Sequence, residues 1–110
     1  AVQILTRVIS LPAPNRICLD LGHKAVAAEN ELAKRVYFPD HPELKAVGQS
    51  EEHLVMEVAP GHGFKPGDTL IGIPYHICPT VALHQSLQVI ENGYLTGLWE
   101  VKARNRKINI

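Results

Sequence analysis

Turn-forming residues recur so often along this chain that short strands are the elements it can best form. Prolines, glycines and one Asn-Gly pair separate segments rich in β-branched and aromatic residues. The segments lie at residues 2–9, 16–20, 35–38, 43–47, 53–58, 69–74, 87–91 and 94–101. Many short strands at close spacing are typical of sandwiches and barrels. The sequence therefore predicts a mainly β fold, an antiparallel, partly closed barrel or sandwich of about seven to eight short strands with little helix.

The Asn92-Gly93 pair gives the clearest local signal. It lies between two strand-like segments, and Asn-Gly readily adopts the two positive φ angles of a two-residue hairpin turn. Helical signals are weaker. Residues 25–33 have a suitable composition but lack a long amphipathic period. We therefore expect a hairpin at Asn92-Gly93 and only short helices elsewhere.

The size and charge of the chain exclude several classes of protein. Its 110 residues suit one domain, spanning residues 1–110. The 11 basic and 11 acidic residues balance, which disfavours nucleic acid and anionic membranes as partners. No apolar run is long enough to span a bilayer. Cys18 and Cys78 are too few for a disulfide framework, so we expect a reducing, cytoplasmic location, and the sequence leaves open whether they pair.

Both ends of the chain are abrupt. A strand-like segment follows Ala1 directly, and the chain stops at residues 107–110 without a polar tail. Independent domains usually carry a few loose terminal residues. We therefore expect a piece of a longer protein, with its amino end at a domain junction.

The sequence His76-Ile77-Cys78-Pro79 is the leading candidate for a functional site. In a strand, side chains two residues apart share a face, with Cα atoms about 6.5–7 Å apart. An extended segment would let His76 and Cys78 bind one metal ion, with Pro79 ending the strand. Two protein ligands leave open coordination positions, as in catalytic sites. The alternative is that both residues simply pack in a strand, because isolated His-x-Cys pairs are common by chance.

Other polar segments have simpler interpretations. Residues 50–53, Ser-Glu-Glu-His, could supply a general base or a third metal ligand, or could be the solvated start of a strand. Residues 20–24 are typical of a tight turn. Lys24 lacks the desolvated or cationic surroundings that a catalytic lysine needs. His84 is expected at the surface, and Trp99 in the core or an interface.

Several segments, taken in order, resemble the carboxy-terminal domain of the D-serine dehydratase and D-threonine aldolase family. They are residues 20–25, 50–53, 67–68, 73–81 and 97–104. The Pro-Tyr-His-Ile-Cys-Pro-Thr block at residues 74–80 is the specific part of this resemblance, and the other segments are individually weaker. The resemblance covers essentially the whole chain.

This resemblance implies a fold type III pyridoxal-phosphate enzyme. In such enzymes an amino-terminal alanine-racemase-like barrel carries the cofactor on a lysine, and a β domain follows. The family's metal ligands correspond to His76 and Cys78, and zinc best suits an imidazole with a thiolate. The implied substrate is D-serine or another D-3-hydroxy amino acid, and Cys78 favours the dehydratase over the aldolase branch. The barrel is then the partner without which this domain is expected to be inactive.

The same metal site suits either reaction. A Lewis acid beside a β-hydroxyl can assist its departure as hydroxide or lower its pKa for retro-aldol cleavage, so the barrel would decide between them. Two alternatives stay open: a stand-alone β-barrel binding or assembly module with a structural His-Cys pair, and a barrel-fused enzyme of the alanine racemase type without a metal. We also expect the isolated domain to self-associate, because apolar surface left uncovered tends to find partners.

Overall fold

The computed structural model describes residues 2–104, which form strands and three short helical segments. The strands are β1 (Ile4–Ala13), β2 (Arg16–Leu19), β3 (Val36–Tyr37), β4 (Lys45–Gln49), β5 (Leu54–Glu57), β6 (Thr69–Pro74), β7 (Ser86–Glu91) and β8 (Tyr94–Glu100). The helical segments are α1 (Ile77–Val81) and two 3-10 turns (Leu32–Lys34 and Lys102–Arg104). The interpretation of the chain ends rests on Ala1 and residues 107–110. These residues lie outside the described part of the chain. Within residues 2–104, no helix is long and apolar enough to cross a membrane.

Six of these strands form one antiparallel sheet, in the order β3-β6-β1-β2-β5-β4. Strand β1 joins its two halves, because residues 4–7 pair with β6 and residues 8–13 pair with β2. Register shifts interrupt the pairing of β1 with β2, and bulges of this kind bend a strand. The sheet curls into a half-barrel, and β7 and β8 form a separate two-stranded sheet. The predicted mainly β, partly closed barrel is confirmed.

The core lies on the concave side of this curled sheet. Burial alternates strictly along β6, where Leu70 is buried between exposed neighbours, as expected for a strand with one solvated face. The core residues are Val8, Ile17, Leu19, Leu21, Val26, Phe38, Leu54, Met56, Val58 and Leu70. Leu21 and Val26 belong to the connection after β2. That connection is therefore anchored in the core, and it carries part of the candidate site.

The sequence prediction was wrong around His76 and Cys78, where it expected an extended strand ended by Pro79. Strand β6 already ends at Pro74, and α1 begins at Ile77, so Cys78 and Pro79 lie in the first helical turn. Proline is tolerated there because the first backbone N–H groups of a helix have no intrahelical acceptor. Pro79 thus takes part in starting a helix rather than ending a strand.

Two other local predictions agree with the structure. Residues 25–33 form turns and the beginning of the 3-10 segment Leu32–Lys34, as expected for a region with weak helical signals. The hairpin is confirmed, because β7 and β8 pair through a turn with φ of 52° at Asn92 and 81° at Gly93. A type I′ turn requires positive φ at both positions. Trp99, on the exposed strand β8, is 67% exposed, so it is not a core residue, and its interface role stays a prediction.

Candidate functional site

His76 and Cys78 lie on the connection between β6 and β7, where α1 begins. His76 caps the amino end of α1 with an extended backbone (φ −117°, ψ 100°), and Cys78 is the second residue of the helix. The His76 side chain is 47% exposed. Cys78 is exposed and carries a free thiol. Both side chains are therefore accessible to solvent, and neither is packed inside a strand.

Thr80 fixes the backbone of His76. Its hydroxyl, in a residue only 2% exposed, donates to the carbonyl of His76 at 2.7 Å and accepts from the backbone N–H of Ala27 at 3.0 Å. A second contact joins the same segments, since Nε2 of His84 lies 2.8 Å from the carbonyl oxygen of Ala25. His84 is half-buried, so the expectation of an ordinary surface histidine was wrong. Thr80, at the end of the Pro-Tyr-His-Ile-Cys-Pro-Thr block, and His84 therefore join the start of α1 to the connection after β2.

Glu29 lies in this connection, beside the imidazole of His76. Its carboxylate oxygen Oε1 contacts Nδ1 of the His76 ring. The Glu29 side chain is 51% exposed, much like its partner. Because Nδ1 is engaged by Glu29, Nε2 is the ring nitrogen left to bind a metal. Sequence analysis missed Glu29, since no local pattern relates it to a histidine so far along the chain.

The turn at residues 20–25 packs directly against the segment that precedes β5. The backbone N–H of His23 donates to the carbonyl of Ser50 at 2.9 Å, and the N–H of Lys24 donates to the carbonyl of Glu51 at 3.1 Å. These bonds pair two stretches that are not strands, which satisfies backbone groups that would otherwise need water. Two segments of the family resemblance thus form one structural unit.

Lys24 carries the charged part of this unit. Its Nζ lies 2.9 Å from Oε1 of Glu52 and 3.3 Å from Oε2 of Glu51. The hydrogen bond to Glu52 raises the pKa of Lys24, and the same bond lowers the pKa of Glu52. A lysine held in its protonated form is a poor nucleophile. This supports the interpretation that Lys24 is not catalytic, and residues 50–53 are indeed exposed.

The connection after β2 brings this unit and the start of α1 together. The carbonyl of Gly22 accepts hydrogen bonds from the N–H groups of Ala25 at 3.0 Å and Val26 at 3.3 Å, which tightens the turn. Val26 is fully buried and anchors the chain in the core. The residues that follow reach Thr80 and His76 through the contacts described above. Segments widely separated in sequence are therefore assembled around one loop.

The described residues hold no complete metal site. Within residues 2–104, no group of three or more His, Cys, Asp or Glu side chains could hold a metal ion. Residues 50–53 therefore do not supply the third ligand that was one expectation for them. The donor chemistry of His76 and Cys78 nevertheless fits a zinc site, because an imidazole nitrogen and a thiolate are preferred zinc ligands. Both donors are exposed, so further ligands could reach such a metal from outside this chain.

A separate cavity of about 580 Å³ lies beside the connection between β5 and β6. His41 and His62 line it, and both rings pack against Phe64, with ring centroids 5.0 and 5.4 Å away. The backbone N–H of Phe64 also donates to Nδ1 of His62 at 2.8 Å. Through these contacts with Phe64, both histidines help to hold the connection between β5 and β6 in place. The lining of the cavity includes neither His76 nor Cys78.

Comparison with known proteins finds the same family that these segments resemble. Residues 1–90 match the family described as a putative serine dehydratase domain. The chain belongs to this family. The chain is 36% identical over 102 residues to D-threonine aldolase from an Arthrobacter species, covering 92% of this chain and 26% of the relative. It is 34% identical over 106 residues to 3-hydroxy-D-aspartate aldolase from Paracoccus denitrificans, covering 96% of this chain and 26% of the relative.

Solved structures share the fold of this chain. D-threonine aldolase from Filomicrobium marinum superposes with a TM-score of 0.80 at 21% identity, over 93% of this chain and 28% of the other. Two variants of D-threo-3-hydroxyaspartate dehydratase superpose with TM-scores of 0.72 and 0.71 at 20% identity, over 89% of this chain and 30% and 31% of theirs. One carries a His-to-Ala substitution, and the other, in a metal-free form, carries a Cys-to-Ala substitution two positions on. This chain therefore spans between a quarter and a third of each protein compared.

Proposed function

We propose that this chain is the metal-bearing, carboxy-terminal β domain, residues 1–110, of a pyridoxal-phosphate-dependent lyase that acts on D-3-hydroxy amino acids or D-serine. The observation that carries the proposal is the exposed pair of donors, His76 and Cys78, on the family's most specific sequence block. The curated relatives are named as D-threonine and 3-hydroxy-D-aspartate aldolases. A D-3-hydroxy amino acid is the substrate class common to those names.

In this proposal Nε2 of His76 and the Cys78 thiolate hold a divalent metal, with zinc as the best match for nitrogen and sulfur donors. The D-threo-3-hydroxyaspartate dehydratase variants support it, since a histidine and a cysteine two positions apart were substituted there. When bound, zinc supplies Lewis-acid activation of an oxygen such as the substrate's β-hydroxyl. The residues of this chain contribute the ligands and hold them in place. With only two of them, the metal keeps room for the substrate.

The cofactor and most of the active site belong, in this proposal, to an alanine-racemase-like barrel outside this chain. Pyridoxal phosphate carries the carbanion chemistry of such lyases. Lys24 is ion-paired and exposed, so this chain offers no cofactor lysine there. The domain alone is then inactive, and the barrel determines whether D-serine dehydration, which Cys78 favours, or aldol cleavage takes place.

Two exposed apolar surfaces support contact with the barrel or with a second copy of the domain. On the outer face of the half-barrel, Leu5 lies opposite Ile71 and Tyr37 lies opposite Ile73, with exposed fractions between 40% and 66%. On the β7–β8 hairpin, Trp99 and its neighbours are similarly exposed. Clustered apolar side chains of this kind mark interaction surfaces. The same surfaces favour the second candidate function, a binding or assembly module in which the His-Cys pair is structural.

Both cysteines are free thiols, Cys18 half-buried and Cys78 exposed. Free thiols fit the reducing cytoplasm, which we propose as the location of the enzyme. An exposed thiolate ligand would also be vulnerable to oxidation outside such a compartment.

The test uses the full-length protein, with metal content and reaction products measured together. The wild type should retain zinc and convert a D-3-hydroxy amino acid or D-serine. His76→Ala and Cys78→Ser should lose both the metal and the activity. Cys18→Ser, which changes the other free thiol, in β2, is the matched control and should keep both. Keto acid and ammonia would indicate elimination, and glycine with an aldehyde would indicate aldol cleavage. Full metal content in both site variants would refute the proposed half-site and leave the binding module as the better candidate.

A further inference from the structure

His76 is held through its backbone carbonyl and through its ring, and both sets of contacts lead to the connection after β2. Its backbone carbonyl accepts the Thr80 hydroxyl, which in turn is held by the N–H of Ala27. Its ring contacts Glu29 through Nδ1. The loop therefore fixes where the residue sits and which way its ring faces.

We propose that Glu29 is a positioning residue that orients His76 for metal binding, an inference that rests on the proposed metal half-site. A carboxylate that accepts the Nδ1–H bond fixes the tautomer with hydrogen on Nδ1, so that Nε2 has its lone pair free. Outer carboxylates of this kind orient metal-binding histidines and raise their basicity, and their loss typically costs about 10- to 100-fold in metal affinity.

Two observations separate this role from the obvious alternatives. Glu29 is not itself grouped with His76 and Cys78 as a third ligand, since residues 2–104 contain no metal-binding group of that size. A purely stabilising ion pair is the other alternative. Side chains exposed as much as these two, at 51% and 47%, contribute little to folding stability through their pairing. The orientation of a ligand is the property that the contact can affect most.

The role of Glu29 is tested by two measurements on the full-length protein labelled with ¹⁵N-histidine. The first is the ¹H–¹⁵N spectrum of His76 in the zinc-free protein at a pH where the ring is neutral, assigned with His76→Ala, which shows which ring nitrogen carries hydrogen. The second is zinc affinity by competition with a chelator. The variants are Glu29→Ala and Glu29→Gln. Glu31→Gln is the matched control, because Glu31 is an exposed carboxylate of the same connection that pairs with Lys34 instead.

In the wild type we expect hydrogen on Nδ1 of His76. Glu29→Ala should lose this preference and bind zinc about 10- to 100-fold more weakly. Glu29→Gln, whose amide oxygen can still accept the hydrogen bond, should lose less of both, and Glu31→Gln should match the wild type.

Three results would overturn the role of Glu29. Unchanged zinc affinity in Glu29→Ala would do so and would leave the proposed function standing. Weaker zinc binding with an unchanged tautomer would also do so, because the loss would then come from charge alone. If the wild type binds no zinc, the proposed function itself fails and there is no metal ligand for Glu29 to position.

Discussion

Gly22 lies where two segments of the family resemblance come into close contact, which makes Gly22→Ala a sharp test of the assembled structure. A Cβ atom at this position would come well under 3.0 Å, a separation that real Cβ atoms essentially never show, from three backbone atoms of Glu51 and Glu52. Gly22 is buried. Backbone atoms cannot rotate away as the end of a side chain can, so one segment has to shift.

The cost of that shift follows from what holds the segments together. Separation would break the bonds from His23 to Ser50 at 2.9 Å and from Lys24 to Glu51 at 3.1 Å. Two such bonds contribute about 1–3 kcal/mol together. Strain from an added methyl group in a packed site contributes about 1–3 kcal/mol more. The expected loss is about 2–6 kcal/mol, out of about 5–15 kcal/mol for a typical domain.

Urea denaturation of the 110-residue chain measures this loss. For a slope of about 2 kcal/mol/M, the unfolding midpoint of Gly22→Ala should fall by about 1–3 M. The matched control is Gly48→Ala in β4, where a new Cβ atom meets nothing within 4 Å. Its stability should stay the same or rise by up to about 1 kcal/mol. A Gly22→Ala variant within about 0.5 kcal/mol of the wild type would show that the two segments do not pack as described.

Three further predictions concern stability, pH and association. Thr80→Val keeps the shape of a buried residue but leaves the N–H of Ala27 without its acceptor, so it should lower the free energy of unfolding by about 1–3 kcal/mol in urea denaturation. The control Thr96→Val changes an exposed hydroxyl and should cost little. Equal losses of stability in the two variants would contradict the role of Thr80. Because Glu52 has a lowered pKa and Lys24 a raised one, the pair should stabilise the fold fully between the ordinary values of 4.5 and 10.5. The urea-midpoint difference between Lys24→Met and the wild type should shrink below and above that window, and a constant difference would refute the pairing. Ile73→Lys, on the outer face of the half-barrel, should lower the mass measured by light scattering at high concentration. A wild type that is monomeric in the same measurement would contradict the predicted self-association.

The strands and the hairpin could be predicted because their signals are local. Alternating apolar residues such as those of β6, and the Asn92-Gly93 pair, specify geometry within a few residues of themselves. The start of α1 could not be predicted from a local signal of this kind. Pro79 is compatible both with the end of a strand and with the first turn of a helix, and the contacts of Thr80 select the helix.

The candidate site was predictable only in part, for a related reason. His76 and Cys78 are neighbours in sequence, so their proximity needs no knowledge of the fold. Glu29 reaches His76, and Ala27 reaches Thr80, because Val26 anchors their loop in the core. Such contacts depend on the tertiary arrangement, which spacing along the chain does not reveal.

The most direct test of the proposed metal half-site is the absorption spectrum of the full-length protein loaded with Co²⁺, a spectroscopic substitute for zinc. A thiolate ligand gives a sulfur-to-cobalt charge-transfer band in the near ultraviolet. The band should be present in the wild type and in the control Cys18→Ser, because Cys18 is a separate free thiol in β2 and is not one of the proposed ligands. It should be absent in Cys78→Ser and in His76→Ala, because either variant should lose the metal. A band that persists without Cys78, or cobalt bound to the wild type without any such band, would contradict the metal half-site.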